Sequence, residues 1–111
     1  MPFAASCRHA PFAAGVLAFV LAGALPAAAD CASDLTASQH NLEQTRGAVA
    51  ATATSADAQK CAAQRRYYAA LVKVREVFSR CDTGAKKGNN AGQLQVAIDD
   101  FKAKMPPGCR P

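Results

Sequence analysis

The sequence lacks the patterns on which most small enzymes and cofactor-binding proteins depend. It has no Cys-x-x-Cys pair and no Cys-x-x-Cys-His, which excludes a thioredoxin-type redox site and covalent haem attachment. Its two histidines, His9 and His40, are too few for a histidine cluster that binds zinc or copper. A glycine-rich phosphate loop is also missing, and no Ser or Cys signature surrounds His40. These absences predict a protein that is not an enzyme and that carries no metal or cofactor.

The apolar residues are concentrated at the start of the chain. Arg8 precedes an uncharged apolar run over residues 10–25, and a proline with three alanines follows. This order of a positive region, an apolar region and small residues is typical of a secretory signal peptide. We therefore predict a Sec-type signal peptide in residues 1–29, cleaved after Ala29 or a neighbouring alanine. The Ala-rich composition favours a bacterial protein, and its location would be periplasmic or secreted.

Two alternatives would attach the chain to a membrane. An uncleaved anchor needs roughly 20 strongly apolar residues, and the apolar run has 16 residues rich in Ala and Gly. Lipidation of Cys31 would need a small residue directly before it, where Asp30 stands. The residues therefore favour a cleaved signal, and we expect no membrane span after its removal.

Cleavage would leave one small domain, residues 30–111, with 12 basic and 8 acidic side chains and a net charge of +4. This charge is too low to indicate a nucleic-acid-binding tail, so no nucleic-acid partner is expected. A chain this short buries a modest core and gains from covalent cross-links. Loss of Cys7 with the signal leaves an even number of cysteines, which predicts two disulfides in an exported chain. The four are Cys31, Cys61, Cys81 and Cys109.

The remaining pattern is helical and shows neither strands nor repeats. Three helices are predicted, over about residues 33–53, 57–82 and 90–105. The central helix has the widest apolar arc, from Tyr67 to Phe78, which indicates that it packs on both neighbours. We expect an all-α fold, a small antiparallel three-helix bundle with two disulfides. The expected N-caps are Ser33 or Asp34, Ser55 or Thr54, and Asn90.

Helix geometry selects the disulfide pairing. Cys61 and Cys81 lie 20 residues apart on the central helix, which is about 30 Å and too far for a bond. They also point to nearly opposite sides, so each should meet a different neighbour. In an antiparallel arrangement Cys31 lies beside Cys81, and an extended tail brings Cys109 to Cys61. We therefore predict Cys31–Cys81 and Cys61–Cys109.

A basic stripe is the one candidate binding surface. Arg66, Lys73 and Arg80 repeat every seven residues on the central helix. Such a stripe could bind anionic lipid, glycan or an acidic protein. The alternative is a solvated face that maintains solubility, and it is favoured because acidic residues such as Glu76 are interspersed.

These observations order the candidate functions. The favoured one is a non-enzymatic periplasmic or secreted binding or accessory protein with an unknown protein partner. The second is an anionic-surface binder that uses the basic stripe. An enzyme ranks last, because the adjacent Asp99 and Asp100 would point about 100° apart on a helix and favour solvated surface over an acid–base pair.

Overall fold

The computed structural model describes residues 26–111, with side-chain surroundings from Asp30 onward. The predicted signal peptide, apart from its last four residues, lies outside the described residues. Three α-helices are α1 (Pro26–Ala51), α2 (Asp57–Cys81) and α3 (Asn89–Lys104). No strand occurs in this part of the chain, so the predicted all-α fold is confirmed.

The central position of α2 is also confirmed. Both α1 and α3 pack on α2, and within residues 26–111 no Cα atom of α1 lies within 8 Å of a Cα atom of α3. The start of α1 is bonded to the end of α2 through Cys31–Cys81, and the residues after α3 return to the start of α2 through Cys61–Cys109. Both neighbours therefore run antiparallel to α2, as the cysteine spacing predicts.

The core lies along α2. Val77, Ile98 and Met105 are its largest fully buried side chains, and each such burial stabilises the fold by roughly 1.5–3 kcal/mol. Tyr67 adds an edge-to-face contact with Phe101, whose ring centroid is 4.8 Å away. The complete buried apolar set is Ala63, Ala70, Leu71, Val74, Val77, Ile98, Met105 and Cys109.

The packing face of α1 is partly polar. Ser38 is only 6% exposed, and its hydroxyl donates to the Leu35 carbonyl at 3.0 Å. The half-buried Thr45 and Thr52 donate to the carbonyls four residues earlier, at 2.9 Å and 2.8 Å. Because these hydroxyls donate to backbone carbonyls of α1, they can lie near α2 without an unpaired polar atom.

The start of α1 differs from the sequence prediction. The described part of the helix already includes Pro26, seven residues before the expected start, so Ser33 and Asp34 lie inside α1 and cap nothing. The alanines over residues 27–29 are the strongest helix formers and suit helix before Ser33. Nothing between Pro26 and Ser33 therefore interrupts the helix.

The expected caps of α2 and α3 are also wrong. Ala56 and Gly88 occupy the N-cap positions, and neither helix has a side-chain cap. Gly88 adopts φ 83°, which glycine tolerates better than other residues, and this conformation starts α3 at Asn89. Asn90 instead donates to the Asp82 carboxylate at 3.0 Å and so links the two helices.

The loop after α2 and the tail after α3 each contain a short turn of 3₁₀ helix. The loop after α2 contains a 3₁₀ turn at Gly84–Lys86. The tail after α3 is not extended, because Pro107–Cys109 forms a second 3₁₀ turn closed by the Cys109 amide bonding the Pro106 carbonyl at 2.8 Å. The turn directs Cys109 into the core instead of along the surface.

Candidate functional site

The two disulfides fix the opposite ends of α2. Cys31–Cys81 and Cys61–Cys109 are formed, with Cα–Cα distances of 5.6 Å and 5.5 Å. Both predicted pairings are confirmed. They consume all four cysteines of the described chain, and they indicate an oxidising environment of the kind found outside the cytoplasm.

The basic stripe is exposed to solvent along α2 and borders α1. Arg66, Lys73 and Arg80 are all exposed. Lys73 is 3.9 Å from the Glu76 carboxylate, and Arg80 forms an ion pair with Asp34 of α1. Glu76 stands four residues before Arg80, an order that favours an ion pair on a helix, but it lies near Lys73 instead.

The three cations of the stripe therefore differ in how far a nearby carboxylate offsets their charge. Arg66 has no carboxylate within ion-pair distance among residues 30–111, whereas the two other members each have one. Lys73 also borders a cavity of about 250 Å³ between α1 and α2, together with Asp34 and Asn41. A ligand of the stripe would meet one free guanidinium and two cations that carboxylates already accompany.

A larger cleft lies at the other end of the molecule. It has a volume of about 480 Å³ and forms where the tail folds over the first turns of α2. Its α2 wall carries Lys60 and Gln64, and a second cavity of about 230 Å³ on the α1 side is lined by the same two residues. The complete lining of the larger cleft is Asp57, Ala58, Lys60, Cys61, Gln64, Pro106, Gly108 and Cys109.

Arginines hold the tail that forms this cleft. Arg65 donates from Nε to the Cys109 carbonyl at 2.9 Å. Arg110 folds back and donates to the Lys102, Ala103 and Met105 carbonyls at 3.1–3.2 Å. These carbonyls lie at the C-terminal end of α3, where the Lys102 carbonyl also accepts from the Met105 amide at 3.2 Å. A guanidinium placed there suits the negative end of the helix dipole.

Sequence reasoning did not identify this cleft. Its walls come from two segments more than forty residues apart, and no short motif joins them. The predicted Cys61–Cys109 bond is the one signal that could have indicated it, because that bond brings the tail onto the start of α2.

The candidate catalytic residues do not converge. His40 is exposed on α1. Asp99 accepts from Gln95 at 2.8 Å, whereas Asp100 pairs with Lys104 at 2.7 Å. Between residues 26 and 111, no three His, Cys, Asp or Glu side chains are grouped as a metal site requires. None of the helices in the same range is both long and apolar enough to cross a bilayer.

The fold and its cross-links define a small all-α protein with two disulfides. No protein-family model, curated protein or solved structure matches the chain.

Proposed function

We propose that this chain is a non-enzymatic binding or accessory protein, exported by a bacterial Sec-type signal peptide to the periplasm or the exterior. The observation that carries the proposal is the placement of the disulfides. Each bond ties one end of α2 to a different neighbour. Such cross-links hold a surface in place before a partner arrives, and this preorganisation reduces the entropic cost of binding.

Two further features support this proposal over catalysis. The disulfides leave no free thiol in the described chain to act as a nucleophile. His40 is exposed on α1, where no hydrogen bond orients its ring within residues 30–111. A histidine base usually has a positioned nucleophile and a third group that orients it.

Export is tested with the complete sequence in a bacterial host. We expect the protein in the periplasmic fraction, starting at Asp30 by mass spectrometry and unreactive toward alkylating reagents until it is reduced. A chain that retains Met1, or that remains in the cytoplasm with free thiols, would contradict the proposed export.

Binding is tested by chemical cross-linking of the purified oxidised protein in an envelope extract from its own source. A saturable cross-linked partner, lost when the protein is reduced and alkylated beforehand, is the expected result. Cross-linking that does not saturate, or that is equally strong for the reduced and alkylated protein, would count against a binding role.

A second candidate function is binding to an anionic surface through the basic stripe. It is favoured by the exposure of Arg66, Lys73 and Arg80 along α2. Each cation near an anionic membrane contributes about 1 kcal/mol. The two members beside carboxylates contribute less, because Asp34 and Glu76 offset part of their charge.

The two candidates are separated by flotation with vesicles that contain an anionic lipid. The triple variant R66Q/K73Q/R80Q is compared with K86Q/K87Q/K102Q, which removes the same charge from residues outside the stripe. Selective loss of binding in the first variant supports the stripe. Equal loss in both would show that only net charge matters, and undiminished binding would exclude the stripe as the cause.

A further inference from the structure

The cleft at the Cys61–Cys109 end combines apolar walls with two polar side chains, Lys60 and Gln64. Ala58, Pro106, Gly108 and the disulfide supply the apolar surface of a space of about 480 Å³. That volume is within the range of sites for small molecules, roughly 300–1,000 Å³. Such sites are mostly apolar and carry a few polar groups that orient the ligand.

The amide of Gln64 is one of these groups. Its Oε1 lies 3.6 Å from Cys109 Sγ, but a disulfide sulfur carries no hydrogen and donates no bond. Gln64 Nε2 donates to no acceptor among residues 30–111. This half-buried amide faces both the larger cleft and the cavity beside it, so its donors are available to a ligand.

The ammonium of Lys60 is the other group. It is partly buried, with 38% of its side chain exposed, and it borders the same two cavities. Its carboxylate neighbour is Asp57, at 3.7 Å, whose side chain is fully exposed to water. A solvated carboxylate at that distance neutralises the cation weakly, so the side of Lys60 toward the cleft keeps its positive potential.

The start of α2 adds to this potential. The N-cap residue Ala56 has no side chain that could bond the first amides of the helix. The helix dipole is positive at this end. A negative group in the cleft would therefore meet an ammonium, an amide donor and the positive end of a helix. The Asp57 carboxylate also lines the cleft and opposes this potential, but its side chain is fully exposed to water, which screens its charge.

We propose that the cleft binds a small apolar molecule that carries a carboxylate. Lys60 and Gln64 hold the carboxylate, and the walls formed by Ala58, Pro106 and the disulfide surround the apolar part. This inference deepens the proposed binding function by naming the chemistry of one ligand, and it rests on that function.

The probe is octanoate. Its binding is followed by amide NMR of the whole processed protein purified from the periplasm. We expect shifts concentrated at residues 58–64 and 108–109. Octanol is the uncharged probe of similar shape. It should bind about tenfold more weakly, since loss of one charge-assisted hydrogen bond has roughly that effect.

Variants assign the interaction to the cleft. K60M should weaken octanoate binding about tenfold and leave octanol binding unchanged. K104M is the matched control, because Lys104 is also paired with an aspartate on its own helix but lies outside the cleft. Q64L provides a second test that does not depend on the folding of K60M.

Three outcomes overturn the inference: equal affinity for octanoate and octanol, equal weakening by K60M and K104M, or the absence of shifts in the cleft. None of them decides the proposed function, which the cross-linking experiment tests with partners of any chemistry. Loss of cross-linking together with retained octanoate binding would instead contradict an accessory role toward a protein partner.

Discussion

Removal of the Cys61–Cys109 disulfide should destabilise the protein more than removal of Cys31–Cys81. The two bonds close loops of nearly equal length, with sequence separations of 48 and 50 residues. In the loop-entropy treatment each contributes about 4 kcal/mol by restricting the unfolded chain. Entropy alone therefore predicts equal losses, and any difference must come from the folded state.

The folded state differs at the two ends. Cys109 is 3% exposed, whereas Cys31 and Cys81 are half-buried. Release of Cys109 also frees the tail that Arg65 holds through the Cys109 carbonyl. Loss of that hydrogen bond costs about another 1 kcal/mol. We expect C61A/C109A to lose about 5 kcal/mol and C31A/C81A about 4 kcal/mol.

Urea unfolding of the two double variants and the parent measures this difference. With a slope of about 1–2 kcal/mol per molar urea, each loss lowers the midpoint by roughly 2–5 M. Amide exchange locates the effect, and in C61A/C109A it should accelerate first at the end of α3 and in the tail. A smaller loss for C61A/C109A than for C31A/C81A would refute this account of the tail.

The remaining predictions concern single side chains. Ile98→Ala should lower the free energy of unfolding by about 2–5 kcal/mol because Ile98 is buried, whereas Val96→Ala, at a residue 69% exposed, should change it by less than about 0.5 kcal/mol; urea unfolding measures both. Asp34→Asn should cost about 0.2–1 kcal/mol through its half-exposed pair with Arg80, and a cost that does not shrink with added salt would contradict this origin. Arg110→Gln should cost about 0.5–1.5 kcal/mol and speed amide exchange in the last turn of α3, and unchanged exchange there would show that the carbonyl contacts contribute nothing.

The helices and the disulfide pairing could be predicted because they follow from regular geometry. A helix rises a fixed distance per residue, so the spacing of Cys61 and Cys81 forces them to opposite ends whatever the side chains between them. The apolar arc of α2 is wide enough to show that it has two neighbours. The ends of α2 and α3 were predicted within one residue.

Local preferences predicted the capping residues poorly. Ser33, Asp34 and Asn90 are all good capping residues, yet none of them caps a helix. Asp34 and Asn90 instead bond side chains of other segments, Arg80 and Asp82. Side chains that are suited to capping are equally suited to joining helices. Tertiary packing selects between the two uses, and the sequence alone does not show which one it selects.

The basic stripe shows the same limitation for function. A seven-residue spacing places Arg66, Lys73 and Arg80 on one face, and the structure keeps all three exposed. Whether their charge is free depends on Asp34, which lies on another helix. The cleft could not be found by spacing at all, because its residues meet only after the tail turns at Pro107–Cys109.

The tail links stability and the proposed binding site. Residues 106–109 form one wall of the cleft, and Cys109 in the same segment is also part of the core. A variant that frees the tail should therefore lose stability and ligand together, and such a loss would not identify a binding residue. Lys60 can separate the two effects because its long side chain is partly exposed and belongs to neither the core nor a disulfide. If K60M loses octanoate but keeps the unfolding midpoint of K104M, binding depends on the charge of the cleft and not on the fold that forms it.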